Sequence, residues 1–386
     1  MTDLLNPDRV IIGCSPTPAG HRAAESLSSV YASWVPRSRI ITLITWSSEL
    51  SKLVANAMLA QRISSINSIS AICEATGADI DEIAKSIGLD PRIGDKFLKS
   101  GVGFGGSCFK KDILSLTYLA EGLGLPEVAD YWNQVLTVND WQRSRFVKRV
   151  IRCLNGTVVG KKLAVLGYAF KKNTSDTRES PALECIKMLL EDAPREIAVF
   201  DPCCEPAIVK DEIRRLVGGG ALKEEEGPIE VYGDAYQACF NSHAVLILTD
   251  CDEFKNSTSS KSPKLLPKMQ AKSAAVDPRP FQRLEPTESE ILALQKYLSF
   301  AFSVTDPLQR YEPEPECEAG CEACLEQQNK SLGKGKGNEK LDWARIAYHL
   351  QKPKWAFDGR GVLDASEMEA LGVRVETIGK VGWGGR

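Results

Sequence analysis

The longest regular pattern of apolar positions runs from Thr45 to Gly77, where Leu50, Leu53, Val54, Ala57, Met58, Ala60, Ile63, Ile66, Ile69 and Ile72 recur at helical spacing. Serine and threonine at its start and Gly77 at its end are capping residues, so the pattern predicts one long helix, a spine or a dimer seam. Lys52 and Asn56 lie four apart on a weakly apolar face of it, and spacing alone makes them an exposed polar stripe. Further helices are expected over 79–87, 111–123 and 126–154. Ahead of the spine, apolar strands over 3–13 and 39–43 flank a modest helix over 21–34. Two strands do not make a stable sheet by themselves, so these read as the closing elements of a domain without its beginning.

From Lys161 onward the pattern becomes short, uninterrupted apolar runs: 162–167, 196–200 and 244–248, with a helix over 180–191 between the first two. That is a βαβ pattern, and it predicts an α/β fold with a parallel sheet. The connection Gly167–Ser180 carries Lys171, Lys172 and Arg178 where open α/β sheets bind ligands, and it suits a phosphate as well as it suits a solvated loop. Residues 256–340 interrupt the pattern with serine, proline, lysine and glutamate and one amphipathic stretch, 288–302, and are expected to be a largely disordered insertion. The α/β pattern then resumes with a strand end at 355–360, a helix over 366–371 and a last strand over 373–378.

Composition narrows the functional classes. A chain of 386 residues suggests two or three domains, and a net charge of −3 leaves no electrostatic footprint for nucleic acid. No apolar run is long enough for a bilayer and no basic-then-apolar segment opens the chain, so no membrane association and a cytoplasmic location are expected. Twelve scattered cysteines then read as reduced thiols. Three dispersed histidines argue against a metal centre, and Cys317, Cys321 and Cys324, though spaced like half of a metal site, lack a partner set.

Candidate chemistry is concentrated in Gly101-Val-Gly-Phe-Gly-Gly-Ser-Cys-Phe-Lys-Lys-Asp112. Four glycines in six residues give a loop whose backbone amides can approach a ligand closely, and the chain then enters a helix. Cys108 falls at that turn, where free N–H groups, the helix dipole, Lys110 and Lys111 favour the thiolate. Asp112, four residues on, is expected on the same helical face as the sulfur, a water-orienting acid beside a nucleophile. Gly101, Gly103 and Gly106 also fit the dinucleotide fingerprint by bare spacing, but they follow a polar segment instead of a strand, which rules that reading out.

Five segments together closely resemble the UDP-glucose/GDP-mannose dehydrogenase family in its eukaryotic, UDP-glucose-oxidising branch. They are Trp46–Leu53, Ala60–Ser70, Gly103–Phe109 with Asp112, Ala169–Lys172 with Asp176–Ser180, and Phe357–Arg360. The resemblance covers Asp3 to about Lys255 and Leu341 to about Lys380. It implies three parts: residues 1–44 as the end of a Rossmann NAD-binding domain, 45–155 as a central helical dimerisation domain, and 156–386 as a Rossmann-like UDP-sugar domain holding the insertion. It further implies NAD as cofactor, UDP-glucose as substrate, UDP-glucuronate as product, and a homodimer or larger homo-oligomer built through the 45–77 helix.

By the same resemblance Cys108 is the nucleophile that holds the sugar carbon as a thiohemiacetal and then a thioester, Lys52 stabilises the oxyanion, Asn56 orients substrate or water, and Asp112 acts on the hydrolytic water. Substrate contacts fall on Lys52, Asn56, the loop Lys99, Ser100, Gly101, Val102, Gly103, Phe104 and Gly105, and on Phe170, Lys171 and Arg360, with Arg92 reaching a neighbouring subunit's site. Cofactor contacts fall on Cys108, Phe109, Lys110, Lys111 and Arg178. The family's mononucleotide-binding half, with its glycine fingerprint and acidic ribose partner, has no counterpart in this sequence. Two functional expectations follow: a dehydrogenase of which these residues are an incomplete part, or a non-catalytic fragment or paralogue that binds nucleotide sugar or docks on full-length subunits.

Overall fold

In the computed structural model, which describes residues 2–218, 220–256 and 340–382, a short helix α1 (Thr2–Leu5) precedes strand β1 (Val10–Cys14), helix α2 (Pro18–Tyr31) and strand β2 (Ile40–Ile44). β1 and β2 pair in parallel as a sheet of two, Val10 opposite Ile40 and Cys14 opposite Ile44. β1 starts later than its apolar run suggests, because Pro7 has no N–H to offer a ladder. The crossover helix α2 is set by Thr17, whose side chain accepts from Gly20 N, and by Pro18 in the first turn. Ile12 and Cys14 pack with Ala24 of α2, while β2 contains no buried residue.

Helix α3 (Thr45–Thr76) follows β2 directly and ends on Gly77, whose positive φ of 88° lets its N–H return to Cys73 O. The expected spine is present, but its buried side is not the branched apolar set. Ala57, Ala60, Ser64, Asn67, Ser70 and Cys73 are the buried residues along it, with Ile66, whereas Val54, Met58, Ile69 and Ile72 are exposed. Small side chains at three- and four-residue spacing let α5 (Ser107–Gly122) and α6 (Pro126–Cys153) approach closely. A shorter helix α4 (Ile80–Gly88) is capped by the Asp79 carboxylate. α5 begins four residues earlier than periodicity indicates, so Cys108 lies inside its first turn.

The remaining elements build one six-stranded, wholly parallel sheet. In chain order they are β3 (Lys162–Leu166), α7 (Pro181–Leu190), β4 (Glu196–Phe200), α8 (Pro206–Leu216), β5 (Ile229–Val231), α9 (Ala235–Cys239), β6 (Ala244–Ile247), α10 (Trp343–His349), β7 (Trp355–Asp358), α11 (Ala365–Ala370) and β8 (Arg374–Thr377). The strand order is β5-β4-β3-β6-β7-β8. The chain winds outward from β3 in one direction and, from β6, in the other, so a crevice opens at the carboxyl ends of β3 and β6. Every residue of β3, β6 and β7 is buried, as expected of strands covered by helices on both faces. β5 and α9 had no sequence signal because three and five residues are too few to show a period.

Residues 257–339, with the expected disorder, the amphipathic stretch 288–302 and Cys317, Cys321 and Cys324, lie outside the described residues. The two ends that flank them are joined. Leu341 N donates to Glu253 O at 2.9 Å, Lys340 Nζ to Asn256 O at 3.0 Å, and Trp343 Nε1 to Phe254 O at 3.0 Å. Among the described residues no helix is long and apolar enough to cross a membrane, and no cluster of three or more His, Cys, Asp or Glu could hold a metal ion.

Candidate active site

The glycine loop is gripped from three sides by protein. Gly101 N donates to Asn67 Oδ1 of α3 at 2.9 Å, and Gly101 O accepts from Gln142 Nε2 of α6 at 2.8 Å. Val102 N donates to Gly359 O at 3.0 Å. Gly103 O accepts from Arg360 Nη1 at 3.1 Å. Phe104 N and O are both paired with the side-chain amide of Asn139, at 2.9 and 3.2 Å, and Arg143 Nη2 donates to the same carbonyl at 2.5 Å. The glycines are therefore needed for close approach by the protein itself. A Cβ on Gly103, whose φ is +100°, would lie 2.5 Å from Asn139 Oδ1, and one on Gly105 would lie 2.3 Å from Glu179 O. The amides of 101, 102 and 104 already have protein acceptors.

Past the loop, α5 presents Cys108 exposed in its first turn and Asp112 wholly buried one turn later. Lys52 Nζ and Asn56 Nδ2, from successive turns of α3, both meet Asp112 Oδ2, the amide at 2.6 Å. Lys111 Nζ lies 3.4 Å from Asp112 Oδ1, which makes no hydrogen bond. Burial pushes the Asp112 carboxyl upward, but the hydrogen bonds from Lys52 and Asn56 and the charges of Lys52 and Lys111 outweigh it and hold the group below the usual carboxylate range. Lys52 and Asn56, an unremarkable polar pair in the sequence, thus belong to one ionised cluster with Asp112 beside Cys108. The side chain of Lys52 remains 55% exposed, so its ammonium is not sealed inside the pair. Phe104 and Phe109 stack edge to face at 5.6 Å between centroids, tying the loop to the turn that carries the sulfur.

The loop after β3 brings the second group of expected residues. The buried carboxylate of Asp201, at the end of β4, accepts four backbone N–H groups: Tyr168 and Ala169 at 2.6 and 2.8 Å, Cys203 and Cys204 at 2.8 and 3.1 Å. So fixed, the loop places the Phe170 ring against Gly106 and the Lys171 ammonium 5.2 Å above that ring. Arg360, at the end of β7, donates from Nε to Leu248 O at 2.7 Å and from Nη1 to the glycine loop. Its own loop is held by the buried Asp358 carboxylate, which accepts from the N–H groups of Arg360, Val362 and Leu363. Lys99 stands 3.9 Å from Asp250, and Ser100 and Phe170 are half-buried. Arg92 is 88% exposed and paired with Asp90 on the turn after α4.

Ser107, Lys110, Lys111, Tyr118, Arg178 and Arg215 line an open cleft of about 700 Å³ beside the first turns of α5. Lys110 pairs with Glu179 at 2.9 Å and Arg178 with Asp176 at 2.7 Å. The hydrogen bond to Asp176 raises the Arg178 guanidinium and lowers its partner carboxyl. These basic, solvent-facing groups fit the diphosphate of a dinucleotide. Asn67, Asn139, Gln142, Arg143 and Asp201, which hold the two loops, gave no signal in the sequence: each touches backbone, and nothing in a residue's type says which backbone it will meet.

Residues 46–141 match the model of the UDP-glucose/GDP-mannose dehydrogenase family, central domain, and residues 164–282 that of the same family's UDP binding domain. Among curated proteins, the chain is 54% identical over 254 residues to a UDP-glucose 6-dehydrogenase of Caenorhabditis elegans, covering 66% of this chain and 52% of that one. It is 40% identical over 380 residues to the UDP-glucose 6-dehydrogenase of Drosophila melanogaster, covering 98% of this chain and 62% of that one. Among solved structures, a UDP-glucose dehydrogenase from the archaeon Pyrobaculum islandicum superposes with a TM-score of 0.55 at 31% identity, over 64% of this chain and 52% of that one. An NDP-N-acetyl-D-galactosaminuronic acid dehydrogenase from Methanosarcina mazei, with a TM-score of 0.61 at 16% identity over 99% of this chain and 60% of that one, shares the fold. The chain spans between 52% and 62% of the length of these proteins.

Proposed function

Because this chain belongs to the UDP-glucose/GDP-mannose dehydrogenase family, we propose that it is the catalytic and UDP-sugar-binding part of an NAD-dependent dehydrogenase that oxidises UDP-glucose to UDP-glucuronate. The observation that carries this reading is the convergence of Lys52 and Asn56 on buried, ionised Asp112 one helical turn from exposed Cys108. Oxidation of a primary alcohol to a carboxylate passes through an aldehyde, and a thiol nucleophile retains it: Cys108 Sγ adds to the carbonyl carbon as a thiohemiacetal, becomes an acyl thioester when that carbon gives up a hydride to an external acceptor and the hydroxyl its proton, and leaves as the free thiol when water attacks. The Lys52 ammonium stabilises the oxyanion that forms at that carbon, with the Asn56 amide orienting it. Asp112 Oδ1, without a hydrogen-bond partner, accepts the proton of the hydrolytic water.

Lys171, Arg360 and the 99–105 loop border the crevice at the carboxyl ends of β3 and β6, the region suited to the sugar nucleotide. Cys108, Phe109, Lys110, Lys111 and Arg178 would hold a nicotinamide dinucleotide, which supplies hydride acceptance. The exposed apolar residues of α3, among them Val54, Met58, Ile69 and Ile72, suit association with a second copy of the chain, from which Arg92 could reach a neighbouring site.

Two measurements test the reading. UDP-glucose should raise the thermal midpoint of the protein, because a ligand of the folded state stabilises it by mass action; an unchanged midpoint at millimolar ligand refutes the binding site. The 6-aldehyde of UDP-glucose, supplied directly, should slow alkylation of Cys108 by iodoacetamide, followed peptide by peptide, by reversible capture of its thiol, and leave exposed Cys203 unprotected. Equal alkylation of Cys108 with and without the aldehyde refutes the nucleophile.

A further inference from the structure

We propose that Asn139 and Gln142, two side-chain amides of α6 that touch no reacting group, are positioning residues that set where Cys108 stands by clamping the backbone of the glycine loop. The inference deepens the preceding reading and rests on it for the identity of the ligand, though not for the mechanics. Both residues are buried, Asn139 at 2% and Gln142 at 0% exposure. They lie three apart on a helix whose other buried positions include Val135, Phe146, Val147 and Val150. A primary amide in such surroundings is destabilising unless all its polar atoms are paired.

The Asn139 oxygen accepts from Phe104 N and its NH₂ donates to Phe104 O, the pairing a neighbouring strand would provide. The Gln142 NH₂ donates to Gly101 O, and its oxygen accepts twice from Arg145, at 3.2 and 2.8 Å. Asn67 completes the grip at Gly101 N. Two of the loop's residues, Gly101 and Phe104, are thus fastened to α6 through three peptide units, and Gly103 is pressed onto Asn139 too closely for any Cβ. Phe104 then transmits the position, since its ring meets Phe109, the residue after Cys108. Moving Phe104 must move Phe109 or break that contact, and either displaces the turn that carries the sulfur.

The test compares Asn139→Leu, which keeps the branching and heavy-atom count and deletes both hydrogen bonds, with Val150→Ala, a buried substitution in the same helix that leaves the clamp intact. Gln142→Met is the second clamp variant. Alkylation by iodoacetamide is followed peptide by peptide in the full chain, with exposed Cys203 as internal reference. The clamp variants should change the rate at Cys108 relative to Cys203 by about fivefold, since alkylation follows a thiol's access and thiolate fraction, and both alter when the first turn of α5 moves. Val150→Ala should lower the thermal midpoint and leave the ratio alone. An unchanged ratio in folded Asn139→Leu or Gln142→Met overturns the proposal, as does a ratio that follows the midpoint through all three variants. UDP-glucose affinity should fall with the ratio. If the wild-type chain does not bind UDP-glucose while the ratio still responds, the reading of the ligand fails and the positioning role stands.

Discussion

Strands β1 and β3 are similar short apolar runs, Val10-Ile-Ile-Gly-Cys14 and Lys162-Leu-Ala-Val-Leu166, and each opens a parallel βαβ unit. Every residue of β3 is buried, whereas β1 buries two and its partner β2 none. The difference lies in the neighbours. β3 is flanked by β4 and β6 and covered by helices, while β1 has one strand beside it and leans on α2 and α3. A similar local sequence thus makes a core in one place and a half-exposed appendage in the other, and the candidate cluster draws on helices: Lys52 and Asn56 come from the end of α3 nearest the small sheet, Asp112 and Cys108 from α5.

Val165→Asp should break the comparison most severely. An unpaired carboxylate in the centre of the large sheet should cost more than about 4 kcal/mol and prevent folding; a cooperative melt near the wild-type midpoint would show that β3 is not the core. Next, native-state hydrogen exchange should separate the sheets, with amides of β1 and β2 exchanging through openings several kcal/mol lower in free energy than those of β3 and β6. Equal protection would mean the two sheets unfold as one. Gly13→Ala should cost about 1–3 kcal/mol, because the new Cβ would meet Ser48 Cβ at 2.9 Å and Thr45 Cα at 3.3 Å, and chemical denaturation would read it.

A smaller effect is expected on acidification. Asp112 titrates below its unfolded value, so its contribution is complete above about pH 4 and is lost as the pH falls through its depressed folded value. The stability gap between wild type and Asp112→Asn should therefore narrow only in that acid range; narrowing near neutrality would contradict an ionised Asp112. Smallest of all, Ile41→Thr on exposed β2 should stay within about 0.5 kcal/mol, and a larger loss by denaturant titration would show that this surface is covered in solution.

The sequence made the long helix, the buried strands and Cys108 legible because each rests on a local rule: period, apolar run, glycine followed by a helix start. It did not reveal that α3 packs through Ser64, Asn67 and Ser70 beside Ala57, Ala60 and Ile66 while Ile69 and Ile72 stay exposed, since a helix period identifies a face without saying which neighbour meets it. Lys52 and Asn56 were visible as an i,i+4 pair, but their partner Asp112 lies 60 and 56 residues away, a distance no spacing rule covers. The protein contacts of the glycines are hidden for a related reason. Their lack of side chains is local, but what fills the space, Asn139, Glu179 and Gly359, arrives from elsewhere in the fold.

The seam between Glu253–Asn256 and Lys340–Trp343 has a topological consequence. Since the polypeptide departs and returns through one stitched gateway, the described strands keep their neighbours by contacts made among the described residues themselves. Ring-closure entropy grows only with the logarithm of loop length, adding about 0.6 kcal/mol per doubling. A gene could therefore gain or lose a segment at this junction with the order β6, α10, β7 preserved, because the three hydrogen bonds that close the gateway belong to the barrier's posts and not to its traffic.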